Sequence, residues 1–285
     1  MSVIDAHHHF WDPARADYPW MAGPEMAPIR RPFGPADLAP LLAANGVAAS
    51  IVVQCRPDET ETEEFLATAA GTNFVVGVVG WVDLEHPDVG ARLDRLLRRP
   101  DGAKLVGIRH QVHDEADPGW LTRTAVQRGL AAVFERGLTY DLLVRCRELP
   151  AALAVAKEFP SGRFVLDHAA KPPIAAGFDQ NWAARLAALA RCPNVWCKIS
   201  GLATEARWHD WNAARLRPAV DHAWRCFGED RLVFGSDWPV CLLAGDYARI
   251  KTAAEACLTH HGQATLDKAR GANAIAAYKL RIGER

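Results

Sequence analysis

At 285 residues with 49% hydrophobic side chains, the chain has the size of one (β/α)8 barrel rather than of several small domains. Its 33 Lys and Arg nearly cancel 34 Asp and Glu, so no broad field exists to gather phosphates or anionic lipid, which argues against nucleic acid and membrane partners. No apolar stretch approaches the roughly 20 residues of a membrane span, and a strand-like run already begins at Val3, which predicts a cytoplasmic protein.

Eight short runs rich in Val, Ile and Leu follow one another along the chain: VIDAHHHF from Val3, ASIVVQC from Ala49, FVVGVVGWVD from Phe74, KLVGIRH from Lys104, TYDLLV from Thr139, RFVLDH from Arg163, VWCKIS from Val195 and RLVFGSDW from Arg231. Their spacing of roughly 25 to 35 residues suits buried parallel strands joined by helical crossovers. The segments between them carry helical punctuation. Pro35 and Gly46 bound PADLAPLLAANG, with Pro40 able to kink it, and Thr60 with Glu63 fits a capping box before EFLATAAG and Gly71. Val126, Leu130, Val133 and Phe134 form one apolar stripe, and Trp182, Leu186 and Leu189 another. Asp246 to Leu280 reads as two further helices around His260, His261 and Gly262. The long proline-rich stretch from Trp11 to Pro35 reads as a loop that covers a substrate. Seven cysteines without a C-x-x-C read as reduced and mostly buried.

Eightfold β/α alternation closes most economically as a single (β/α)8 barrel spanning residues 1–285, with its chemistry at the C-terminal ends of the strands. An open doubly wound sheet is the competitor, but no G-x-G-x-x-G follows the first strand. Simple alternation places Val3, Asp5, His7 and His9 on one face of that strand. With that face inward, His7 and His9 reach the barrel mouth, where LDH delivers His168 and GSDW delivers Asp237. Three imidazoles and a carboxylate match the ligand set of one catalytic divalent metal ion such as zinc or manganese. The plainer alternatives are satisfied polar core residues or a surface histidine cluster. Arg109 and His110 end strand four and Arg145 ends strand five, where a guanidinium suits ligand oxygens or an ion pair with Asp141, Glu135 or Glu148. Lys171 could reach the same hollow, and Trp81 and Trp238 could pack on a sugar ring or simply in the core. The place of Lys198 stays open.

His7-x-His9, His168 and Asp237 at those strand ends resemble the amidohydrolase superfamily. GIRH from Gly107, LDHAAKPP from Leu166 and GSDWPV from Gly235 resemble its lactonase subgroup, which includes sugar-acid lactonases and pyrone dicarboxylate lactonase, and the likeness runs along nearly the whole chain. Two departures bear on the metal. KLVGIRH holds its only lysine at the strand's start, leaving no bridge for two metals, and Arg145 stands where metal-dependent relatives usually offer histidine. The metal could therefore be dispensable. The resemblance implies opening of a sugar-acid lactone, of the L-fucono or L-rhamnono type, with Asp237 as general base and His7, His9 and His168 polarising the carbonyl or holding the cation; Arg109, His110, Arg145, Lys171, Trp81 and Trp238 would contact the substrate. A pyrone-dicarboxylate or muconolactone substrate, a metal-dependent decarboxylation, or a barrel that only binds a sugar acid are the competing readings. The sequence leaves the oligomeric state open.

Overall fold

In the computed structural model, which describes residues 2–281, eight parallel strands lie in the order of the chain. They are β1 (Val3–His8), β2 (Val47–Val53), β3 (Val75–Gly80), β4 (Leu105–His110), β5 (Thr139–Leu142), β6 (Arg163–Leu166), β7 (Val195–Ile199) and β8 (Leu232–Phe234). Neighbours pair in parallel from β1 through β8. The ring closes where the His9 amide donates to the Trp238 carbonyl at 2.7 Å and the Asp237 amide to the His7 carbonyl at 2.8 Å. Closure thus falls on the residues expected to do the chemistry.

The helices are α1 (Pro35–Ala44), α2 (Glu59–Ala70), α3 (Val89–Leu97), α4 (Thr124–Glu135), α5 (Leu149–Glu158), α6 (Gln180–Ala190), α7 (Ala213–Phe227), α8 (Tyr247–Thr259), α9 (Gln263–Asp267) and α10 (Asn273–Tyr278). Their stripes cover the outer face of the sheet as patterned, with Val126, Leu130, Val133, Trp182, Leu186 and Leu189 buried and Phe134 packed against that core. Two local expectations are corrected. The start of α2 is capped by Asp58, whose side chain accepts from the Thr60 amide, because the helix begins one residue before Thr60. The final segment is α8 followed by a helix broken at a five-residue π turn, Lys268–Ala272, rather than two helices. All seven cysteines are free, five of them buried.

Inside the ring, Ile4, Ala6, Ile51, Val79, Val165 and Val233 pack against Ala277, Tyr278 and Leu280, so the C-terminal helix plugs one end of the barrel. No helix among the described residues is long and apolar enough to cross a membrane.

Candidate active site

The first strand delivers its histidines through an irregularity that simple alternation does not foresee. Asp5 pairs with Ser50 and His8 with Val52, so three steps on β1 face two on β2. This bulge shifts the phase. Ile4 and Ala6 pack inside the barrel, whereas the Asp5 carboxylate accepts from Tyr247 on α8 and from the Ser236 amide, so Asp5 does not share the face of His7 and His9. Beyond the bulge His7 and His9 do turn inward, and His8 turns out to meet Ser50 at 2.9 Å.

His168 opens a run of four consecutive non-glycine residues, His168 to Lys171, with φ of 54°, 49°, 59° and 51°, and Asp237 stands at 60°. Left-handed backbone costs an L residue roughly 1–2 kcal/mol, so such a run persists only where its surroundings hold it. Here the Lys171 amide donates to the His168 carbonyl at 2.8 Å, closing a tight turn that sets the side chains of residues 168 and 171 on the cavity wall.

The four predicted residues converge. Asp237 Oδ1 lies 3.4 Å from His9 Nε2, 3.6 Å from His7 Nε2 and 4.0 Å from His168 Nε2, and all four side chains are buried. Burial alone would raise the Asp237 pKa, but the imidazoles outweigh it and hold the carboxylate well below its usual range. Burial also keeps the histidines neutral, with His168 lowered to about 4. Hydrogen bonds orient the rings. His9 Nδ1 donates to the Val53 carbonyl at 2.7 Å, which leaves its Nε2 unprotonated, and His168 Nδ1 meets Ser200 Oγ at 2.9 Å, so both rings turn Nε2 inward. One donor atom each of His7, His168 and Asp237 lies within 4.8 Å of the others. This donor set, with His9 alongside, fits one divalent cation. It does not fit two, because the Arg109 guanidinium comes to 3.4 Å from His7 Nε2.

Beneath this cluster lies a layer of buried charge. Lys198 donates to Asp141 Oδ2 at 2.6 Å and to His7 Nδ1 at 3.1 Å, and its ammonium also lies 2.9 Å from Asp167 Oδ1 as an ion pair. Arg109 donates to Asp167 Oδ2 at 2.9 Å and Gln54 Oε1 at 3.0 Å, and also to the Gln54 carbonyl. Two cations face two carboxylates, and Tyr278 completes the layer by donating to Asp141 at 2.7 Å. Such a set is stable in low dielectric because each charge has an opposite charge beside it, with Asp167 Oδ1 compensated by the Lys198 ion pair rather than by a hydrogen bond.

A cavity of about 460 Å³ opens above, large enough for a monosaccharide, and it is lined by His9, His168, Asp237, Arg109, Arg145 and Lys171 among others. Of the residues expected to contact substrate, Arg109, Arg145 and Lys171 are therefore on its wall. His110, Trp81 and Trp238 are not. Trp81 Nε1 donates to His110 Nδ1 at 3.0 Å, His110 stacks on Trp120 with centroids 4.2 Å apart, and Trp238 is buried against Phe33. Arg145 pairs with Glu205 rather than with Asp141, Glu135 or Glu148. The Trp11 to Pro35 stretch contributes Trp20 and Met26 to the wall.

Sequence reasoning passed over Gln54, Asp167, Ser200, Glu205, His113 and Trp208. Gln54 and Ser200 directly follow strands, and the end of a barrel strand is where a polar residue earns attention. Glu205, His113 and Trp208 lie in loops without any local signal.

The amidohydrolase family model matches residues 4–280. The chain belongs to the amidohydrolase family. Among its curated relatives is an L-fucono-1,5-lactonase of Burkholderia ambifaria, 42% identical over 281 residues, 97% of this chain and 95% of that one. An L-fucono-1,5-lactonase of Burkholderia multivorans is 41% identical over 88% of this chain and 87% of its own. A crystal structure of an amidohydrolase from Burkholderia multivorans with bound zinc superposes with a TM-score of 0.92 at 38% identity, covering 99% of this chain and 100% of that one. The eight-stranded amidohydrolase barrel is thereby shared across the whole described length.

Proposed function

We propose that this amidohydrolase opens the 1,5-lactone of a six-carbon deoxy-sugar acid, of the L-fucono type, with Asp237 as the group that directs water. The observation that carries the reading is the Asp237 carboxylate held ionised among three neutral histidines at the floor of a monosaccharide-sized cavity. The two L-fucono-1,5-lactonases at 41–42% identity support the substrate class. The wall supports it too: Met26, Leu143, Val240 and Leu243 offer an apolar side for a ring face and a methyl group, while Gln111, His113 and Thr204 offer polar partners for hydroxyls.

Hydrolysis requires water to attack the lactone carbonyl, the ring C–O bond to break and one proton to pass from water to the departing ring oxygen. Asp237 accepts hydrogen bonds from the water and takes its proton as the new C–O bond forms. Ionised among neutral imidazoles, it orients the water and returns the proton to the alkoxide as the ring opens. Arg109 Nη1, beside His7, lies at the cavity floor and supplies positive potential where the carbonyl oxygen gains charge. A divalent cation held by His7, His9, His168 and Asp237 would supply Lewis-acid polarisation of the carbonyl and a more acidic water. For His7 Nε2 to be a ligand, the ring proton would sit on Nδ1, facing Asp167 Oδ1 at 3.3 Å, and Lys198 would then donate to Asp141 rather than to that nitrogen.

Hydrolysis of a panel of neutral aldonolactones, pyrone lactones and aromatic acids, followed by a pH indicator, tests the reading. Acid release from L-fucono-1,5-lactone supports it, and activity confined to aromatic acid decarboxylation or to a pyrone dicarboxylate refutes it. Chelator dialysis, followed by restoration with zinc or manganese, determines whether the cation is required.

A further inference from the structure

The charges on the cavity wall balance one another. Arg109, Arg145 and Lys171 contribute three positive groups, and Asp114, Glu205 and Asp237 three negative ones. The balance is achieved locally. Arg109 is neutralised from behind by Asp167, and Asp237 sits among the histidines. That leaves Arg145, Lys171, Asp114 and Glu205, and both cations face Glu205: Lys171 Nζ lies 3.1 Å from Glu205 Oε1, and Arg145 Nη1, on a side chain 52% exposed, lies 3.8 Å from Glu205 Oε2. Three different strand ends meet in this group, since Arg145 follows β5, Lys171 follows β6 and Glu205 follows β7.

We propose that Glu205 is a specificity-determining residue, which neutralises Lys171 and weakens the field of Arg145 so that the pocket accepts uncharged lactones and discriminates against lactones that carry a second carboxylate. The inference rests on the lactonase reading above.

Three features support it. Lys171 is not a loop lysine at rest, because the left-handed turn from His168 fixes it on the wall as part of the same strained unit that presents the histidine. The Lys171 and Glu205 side chains are 16% and 15% exposed, so their pairing is only partly screened and a ligand in the cavity would feel either charge if the other were absent. His113, on the same wall, has a buried Nδ1 with no partner, and burial together with the cations Lys171, Arg145 and Arg109 keeps its ring neutral. It therefore offers a hydroxyl partner rather than a further charge. A cavity built to hold a dicarboxylate would leave Lys171 unpaired, whereas here Glu205 engages it before a ligand arrives, with the half-exposed Arg145 beside the pair.

The test compares two lactones of the same ring on the wild type and on Glu205→Gln: a neutral 6-deoxy-aldono-1,5-lactone, and the 1,5-lactone with a carboxylate in place of the C6 methyl group. The wild type should prefer the neutral ring. Glu205→Gln, which keeps shape and hydrogen bonding, should raise the absolute kcat/KM for the carboxylated lactone by about 10-fold or more through KM, and added salt should erode that gain. Lys171→Met leaves Glu205 less compensated and should move preference the other way, which keeps the idea testable should Glu205→Gln fold poorly. A loss of activity on both lactones in equal measure, with no gain on the carboxylated one, would overturn the role of Glu205 while leaving the lactonase reading intact. Absence of turnover on either lactone by the wild type would instead overturn the lactonase reading on which it rests.

Discussion

Asp237 occupies left-handed backbone between three imidazoles. Asp237→Asn removes the proposed proton acceptor while preserving size, so kcat on the neutral lactone should fall by ~100-fold or more with an unchanged circular dichroism spectrum. The histidines also tie stability to pH. His8 is lowered to about 3, first by burial and then by the charge of His9, whereas in the unfolded chain it titrates near 6.5. Between those values the unfolded chain binds a proton that the folded chain refuses, so this contribution is complete above pH 6.5 and is lost as pH falls toward 3. His7, His9 and His168 are shifted in the same direction. His110 and His113 are lowered as well, again mainly by burial. Glu61, raised to about 7, and Asp141, raised to about 6, both mainly by burial, oppose them, because the fold holds their protons as pH falls. The six histidines outweigh these two carboxyl groups. The melting temperature should decline from about pH 7 to about pH 5, with a shallower slope in His8→Gln, and a flat profile in the wild type would contradict this account.

At the scale of the element, the turns after β6, β7 and β8 decide whether the cluster exists. Gly201, just beyond β7, has a φ of 61°, and a Cβ there would come within 2.5 Å of His168 Nδ1 and 3.0 Å of Asp237 Oδ2. Gly201→Ala adds one methyl group that strains the backbone and drives both functional side chains from their places. We expect kcat/KM to fall by ~100-fold or more, the scale of a small misplacement at a reacting centre, together with a stability loss of about 1 kcal/mol or more. Wild-type kinetics in Gly201→Ala would show that the His168 and Asp237 positions are not the working ones. Strand ends carried most of the legible signal. His7, His9, His168 and Asp237 could be placed at the mouth from the sequence because each terminates a run of Val, Ile and Leu. The face of Asp5 could not, since a bulge depends on pairing with β2 and leaves no mark in the residues themselves.

On the scale of the whole molecule, the two ends of the chain meet beneath the site. Tyr278 on α10 donates to Asp141 on β5, which holds Lys198 on β7, which in turn holds His7 on β1. Tyr278→Phe leaves a buried carboxylate short of one donor and should cost about 1.5–3 kcal/mol in denaturant unfolding. Tyr278→Ala also empties part of the barrel and should cost about 3–5 kcal/mol. Equal stability of Tyr278→Phe and the wild type would mean that Asp141 is satisfied without the tyrosine.

The sequence by itself determined the eightfold alternation, the buried stripes of the helices and the four residues at the mouth, because hydrophobic period and strand termini are local properties of the chain. It also allowed a single cation and not two, since the lysine of KLVGIRH starts its strand and leaves no bridge at the mouth. Only the tertiary structure decided which charges cancel: that Glu205 claims Lys171 and Arg145, that Lys198 spans Asp141, Asp167 and His7, and that Trp81, His110 and Trp238 turn away from the cavity. Pairing of that kind depends on distances between residues tens to hundreds of positions apart, and Coulomb energy follows distance in space, which the order of residues along a chain does not encode.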